Sequence, residues 1–172
     1  DYNGRVPSQV SQKDKVSFAL DLQRRCLCYQ GITGNVSPEA TAFTLDRSHY
    51  WQGKWTRTAT NRLLLQAGTS HNKMNWNQAP QPGVGPDVVT TVELITGLRY
   101  RSTGQFNSRI QDEGYNSSTY NTNFSMNYVT GSHSFFAGTN IMHARPTTDW
   151  RMNGDREYRF LNGEPNQVIL RT

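Results

Sequence analysis

Few residues in this chain have the types and spacing for covalent chemistry. The histidines His49, His71, His133 and His143 are not at the helical spacing that sets two imidazoles on one zinc ion. Cys26 and Cys28 have no C-x-x-C partner, so no metal site is expected. Two cysteines are also too few for a disulfide scaffold. On a strand, residues i and i+2 share a face, and a direct bridge between these two is expected to be strained. Asp112 and Glu113 are adjacent, so on a strand their carboxyls point apart and make no acid–base pair. No Ser-His-Asp arrangement and no glycine-rich phosphate loop stands out. The expectation is a protein that is not an enzyme and needs no cofactor. What remains is recognition. Trp76, Arg99, Tyr100, Arg101, Tyr115 and Trp150 fall in or beside irregular segments. Aromatic rings beside guanidiniums suit a glycan or a chelate, and ordinary loop packing would explain the same residues.

Composition narrows the class. A chain of 172 residues is long enough for one domain with a core. Only 34% of it is hydrophobic and the mean hydropathy is -0.75. Asn, Gln, Ser, Thr and Gly fill the gap. Net charge is +5, but the arginines are scattered through turns and strand ends. Nucleic-acid binding needs them clustered with aromatics on one surface, so no nucleic-acid partner is expected. No signal peptide is visible, and no run of about 18 apolar residues marks a membrane helix.

The elements that must hold these residues read as strands. In residues 120–130, Tyr120, Thr122, Phe124, Met126 and Tyr128 alternate with Asn121, Asn123, Ser125 and Asn127, the period of two of a β-strand. Thr130-Gly131-Ser132-His133 is a tight turn in which Gly131 can take positive φ. A two-residue loop there pairs Tyr128 with Phe135 and puts Phe135, Ala137, Thr139 and Ile141 beside the aromatic side. Residues 16–22 alternate in the same way. Val16, Phe18, Leu20 and Leu22 are separated by Ser17, Ala19 and Asp21. Further strands are read at 2–8, 49–56 (Trp51, Gly53 and Trp55 on one side) and 62–76 (Leu63, Leu65 and Ala67 on one side). A last hairpin is read over 157–160 and 167–171, about eight strands in all. Pro7 argues against a central position for the first of them. Residues 24–42 and 77–116 read as long loops, the second with a short strand or helix within 88–100, and residues 145–155 as another.

Turn lengths alternate, short at 11–14, 57–61 and 130–133 and long between them. That is the layout of an up-and-down transmembrane β-barrel. Lipid demands about 9–11 residues per tilted strand, and residues 120–130 supply eleven. Aromatics bracket the apolar face as an interface girdle does, while the opposite face is mostly Asn, Ser, Gln and Gly. The lipid-facing set is therefore Val16, Phe18, Leu20, Leu22, Trp51, Trp55, Leu63, Leu65, Phe124, Met126, Tyr128 and Phe135. Strands left unpaired at an edge are not tolerated in hydrocarbon, so either the first and last strands pair or further strands complete the barrel.

The stretches NGRVPSQVSQKDKVSF, DLQRRCLC, NVSPEAT, WTRTATNRLLLQAG, NYVTGSHSFFAGTN and YRFLNGEPNQVILR carry a resemblance. Together they resemble the barrel portion of TonB-dependent outer-membrane receptors, of the kind linked to a carboxypeptidase-regulatory-like domain. The resemblance covers nearly the whole chain, and it rests on strands and turns rather than catalytic signatures. Thr139 stands where an outward aromatic is more usual, and Phe136 at a site often polar. The resemblance implies a barrel of roughly 22 strands with an N-terminal plug. It also implies TonB as a partner through that plug, outer-membrane lipid around the wall, and energy-coupled uptake of a scarce solute (a glycan, peptide or metal chelate). Neither plug nor TonB box stands in this sequence, and it does not end in the aromatic that closes such barrels. The expectation is a partial barrel over 1–172, an internal segment of a longer protein in the cell outer membrane. A soluble all-β carbohydrate- or surface-binding module and a complete eight-strand barrel are the alternatives.

Overall fold

The structure, a computed structural model, describes residues 1–107 and 114–171, so Asp112 and Glu113 lie outside the described residues. It is all-β. The strands are β1 (Tyr2–Gln9), β2 (Asp14–Gln30), β3 (Ala42–Thr60), β4 (Leu63–Pro80), β5 (Thr90–Glu93) and β6 (Arg99–Tyr100). They continue with β7 (Tyr115–Thr130), β8 (His133–Thr147), β9 (Arg156–Leu161) and β10 (Glu164–Leu170). Two 3-10 turns, Pro38–Ala40 and Asn153–Asp155, complete the list, and no α-helix occurs among the described residues. One sheet has six strands in the order β1-β2-β3-β4-β7-β8, and the other has four in the order β10-β9-β5-β6.

The chain divides into two compact units. Unit 1 comprises Asp1–Gln23, Ser48–Met74 and Ser117–Pro146, and unit 2 the remainder. In unit 1 the antiparallel pairing of β1 with β2 runs from Tyr2↔Leu22 to Gln9↔Lys15. Pro7 pairs with Ser17 within it. β1 is the sheet's edge, where the missing N–H of proline costs no ladder bond. Between β4 and β7, Gly68 meets Asn123, Thr69 meets Thr122 and His71 stacks on Tyr120, an antiparallel register. Gly131 takes φ 53° in the β7–β8 turn. Gly138 lies against Ser125, as a two-residue loop at 131–132 requires.

Unit 2 contains every buried apolar side chain among the described residues: Ala40, Ala42, Val89, Phe106 and Met152. The rest of its core is polar and tied by side-chain hydrogen bonds. Asn153 Nδ2 donates to the carbonyls of Gly85 and Val88 and to Ser102 Oγ. Thr90 Oγ1 donates to the Thr103 carbonyl, and Gln81 Nε2 to the Cys28 carbonyl and to Thr41 Oγ1. Such a core stands because almost every buried polar group is answered.

Several expectations are corrected. Residues 24–42 are not a loop throughout: β2 continues to Gln30 and β3 begins at Ala42. Arg24 to Gln30 lacks the apolar alternation of a half-buried strand because Arg25 answers Asp46 on β3, not lipid or core. Residues 77–116 hold the end of β4, β5, β6 and the start of β7, and β8 runs on to Thr147. The final hairpin is real, with Asn162 and Gly163 at positive φ in its turn. However, β9 and β10 do not extend the large sheet. β9 pairs in parallel with β5, from Thr90↔Glu157 to Glu93↔Phe160. The large sheet thus has six strands, and among the described residues no closed barrel is detected. Cys26 and Cys28 are joined directly, with Cα atoms 5.1 Å apart.

Candidate functional site

Two features invite a functional reading, one in each unit. The first is the face of unit 1 built from alternate residues of its strands. Val16, Phe18, Leu20, Leu22, Phe124, Met126, Tyr128 and Phe135 are 36 to 57% exposed. The small and polar residues between them on β2 and β7, such as Ser17, Ala19, Asp21, Ser125 and Asn127, are half-buried. The apolar side of these strands is the more exposed side, the reverse of a sheet folded over a core. Trp51, Trp55, Leu63 and Leu65 are half-buried. Trp55 Nε1 donates to Asp14 Oδ1 at 3.0 Å, and Arg57 lies 3.7 Å from the same carboxylate. Trp51 belongs to a row of rings across four neighbouring strands. Phe18 to Trp51 is 6.5 Å, Trp51 to His71 is 6.0 Å and His71 to Tyr120 is 4.3 Å between centroids. His71 also bonds Ser118 Oγ at 2.7 Å. This row was invisible in the sequence, because it needs the register of three strand pairs at once. His49 comes within 5.5 Å of His71. No group of three or more His, Cys, Asp or Glu suited to a metal occurs among the described residues.

The second feature is a cavity of about 520 Å³ within unit 2. Arg99, Arg159, Arg171, Glu157 and Trp150 line it, with the amides of Gln30, Gln78 and Gln105. Of the residues expected from sequence to touch a ligand, it brings together Arg99 and Trp150. Arg99 is placed by β6, whose short ladder with β5 is extended by two bonds to the segment before the first 3-10 turn. Its amide donates to the Asn35 carbonyl and its carbonyl accepts from the Ser37 amide, each at 2.9 Å. Trp150 is 46% exposed. Arg159 and Arg171 went unnoticed in sequence because they sit on or just after the last hairpin, whose sheet partner is distant in the chain.

The other four lie elsewhere in unit 2. Trp76 is in β4 beneath the Arg25 guanidinium, 5.5 Å from its ring centre. Arg25 is in turn paired with the buried Asp46 at 2.8 Å, and Trp76 stands in a strand rather than a loop. Tyr100 is in β6 and Tyr115 opens β7, both half-buried. Arg101 is exposed at φ 74°, and its amide donates to Glu39 Oε1 at 3.3 Å.

That contact gives a pH dependence. The Ser37 hydroxyl, 2.6 Å from Oε1, is the main cause that holds the Glu39 carboxyl below its ordinary value, helped by the Glu39 and Arg101 amides; slight burial opposes them. A depressed carboxyl adds stability above its unfolded pKa and loses it as pH falls through the folded one. Wild-type protein is therefore expected to melt above Glu39→Gln at neutral pH, with the gap closing as pH falls through and below the ordinary carboxylate range. Melts of the two proteins across that range check it, and a gap that persists in acid would contradict it.

Compared with known proteins, this chain matches no family model, no curated protein and no solved structure.

Proposed function

We propose that this chain is a stretch of the wall of an outer-membrane β-barrel importer of the TonB-dependent type, a non-enzymatic protein that takes up a scarce solute. The single observation that carries the reading is the uncovered apolar face of unit 1, which has no buried apolar side chain among the described residues. A water-soluble domain leaves single apolar residues exposed, not whole strand faces. Lipid is the solvent in which such a face costs nothing. Tyr120 to Tyr128 spans nine residues, within the about 9–11 that a tilted strand needs. Trp55 hydrogen-bonded to Asp14, and the ring row through His71 and Tyr120, fit the amphipathic belts of membrane interfaces.

Two further observations agree. β1 and β8 are open edges of the six-stranded sheet, and an open edge in hydrocarbon must find a partner strand. This reading therefore has the wall continued by further strands of the same barrel. The Cys26–Cys28 disulfide fits the oxidising cell envelope rather than a reducing cytoplasm. A soluble surface-binding module would need a second layer over Phe18, Phe124 and Met126.

The test is folding with and without a membrane mimetic. The purified chain is expected to partition into detergent micelles and to gain its β-sheet circular dichroism only there. A monodisperse, folded protein in plain buffer would remove the membrane reading.

A further inference from the structure

Three arginines line one cavity of unit 2, and among the described residues two of them are in no carboxylate ion pair. Arg159 is satisfied, since its Nε donates to Glu157 Oε1 at 2.8 Å. Arg99 lies flat on Gly104, where a Cβ would stand 3.4 Å from its Cζ. Its Nε is enclosed without a hydrogen-bond partner. Among the described residues no ion pair neutralises it. The Arg171 guanidinium meets the amide oxygen of Gln105, with Nη1 at 3.2 Å once that amide is turned to satisfy both groups. A neutral amide cancels no charge. Gly104, against Arg99, and Gln105, whose side chain meets Arg171, are consecutive. Among the described residues the cavity's one lining carboxylate, Glu157, is held by Arg159.

A guanidinium stays charged at any physiological pH, and its forked donors fit a carboxylate two at a time. Holding Arg99, with its Nε enclosed, at a cavity without a counter-charge is electrostatically unfavourable unless an anion arrives, and the exposed Arg171 adds a second positive charge at the same lining. The remaining lining says what kind of anion. Trp150 offers an apolar ring. Gln78 Nε2 donates to Gln30 Oε1, which also accepts from Thr44 Oγ1, so the pair offers Gln30 Nε2 as a donor and Gln78 Oε1 as an acceptor. A bare inorganic ion has no use for either. The volume of about 520 Å³ lies within the about 300–1,000 Å³ of small-molecule sites.

We propose that this cavity binds a small acidic saccharide, its carboxylate on Arg99 and Arg171 and its ring against Trp150. That the saccharide is cargo rests on the importer reading, whereas the binding itself does not.

The probe is digalacturonate, titrated into the folded chain and followed by tryptophan fluorescence and calorimetry, with lactose as the neutral control. Digalacturonate is expected to bind at least about tenfold more tightly than lactose and to weaken as salt is raised. Arg99→Gln and Arg171→Gln are each expected to weaken digalacturonate roughly tenfold and leave lactose unchanged. Arg171 lies exposed just after β10, so its variant keeps the test open if Arg99→Gln disturbs folding; melting curves separate the two effects. Equal affinity for lactose, or an Arg171→Gln variant that binds digalacturonate as the wild type does, would overturn the proposal. Displacement of digalacturonate by an equal concentration of inorganic phosphate would overturn the saccharide assignment. A chain that folds without detergent would end the importer reading and leave these affinities as they are, so the two ideas fail separately.

Discussion

Phe106→Ala is expected to cost unit 2 about 3–5 kcal/mol. Phe106 is fully buried and is the largest such side chain among the described residues. The other buried apolar side chains among the described residues are few: Ala40, Ala42, Val89 and Met152. Little can move to fill the space it would leave, because the backbone around it is pinned. The Phe106 amide donates to the Arg151 carbonyl at 2.9 Å and the Arg151 amide returns a bond at 2.8 Å. Next to it, Asn107 Oδ1 accepts from the Gln78 amide and Asn107 Nδ2 donates to the Trp76 carbonyl. On the other side Thr103 is held by Thr90. A rigid rim keeps the cavity open, which places the cost toward the upper end. Phe106→Leu retains most of the volume and is expected to cost less. Hydrogen exchange resolved by peptide is the measurement. Protection should fall in β5, β6, β9 and β10 and persist in β1 and in β2 up to Gln23. An even loss over both units would show that they unfold as one and contradict the expectation.

The contrast between the two units explains what could be read in the sequence. Alternation announced β2 and β7 because Val16 to Leu22 and Tyr120 to Tyr128 present one chemistry on each side, and period two is a local signal. Pro7 announced an edge for the same reason: what it lacks is local. The turns at Gly131 and at Asn162-Gly163 were legible because positive φ is a property of single residues. Unit 2 was illegible because its pairings are not local. β5 and β6 span only Thr90–Glu93 and Arg99–Tyr100, too short for any period to show. The β9–β10 hairpin could be seen, yet its parallel alignment with β5 joins residues more than sixty positions apart. That pairing takes it out of the large sheet. Asn153 and Asn107, which hold this unit together, look like loop residues in a sequence rich in Asn. Of the candidate site, Arg99 and Trp150 were found as an aromatic beside a cation, and the same rule also chose Trp76. That residue stacks under Arg25, a strand-to-strand contact that composition cannot tell from a ligand site.

The sharpest consequence of the membrane reading falls on two neighbours in β7. Met126→Arg is expected to destabilise the protein in a lipid bilayer by about 2–4 kcal/mol, and Ser125→Arg by about 0–1 kcal/mol at most. Successive residues of a strand point to opposite faces at nearly the same depth, so the pair holds depth fixed and varies only the surroundings. Met126 is 36% exposed on the apolar face, between Phe124 and Tyr128. In hydrocarbon a guanidinium there loses its water and finds no partner. Ser125 lies on the polar face close against Gly138, and Asn121, Asn123 and Asn127 share that face. An arginine there stays wet. If water rather than lipid covered Met126, replacing it by arginine would be an ordinary surface substitution within about 0.5 kcal/mol. The two readings therefore differ by several-fold in one number. Denaturant titrations of wild type, Met126→Leu, Met126→Arg and Ser125→Arg in bilayers of fixed composition supply that number. Met126→Leu controls for loss of the native side chain and should be close to neutral. Equal costs for the two arginines would mean that the faces of β7 do not differ in solvent, and the barrel-wall reading of this hairpin would have to be given up.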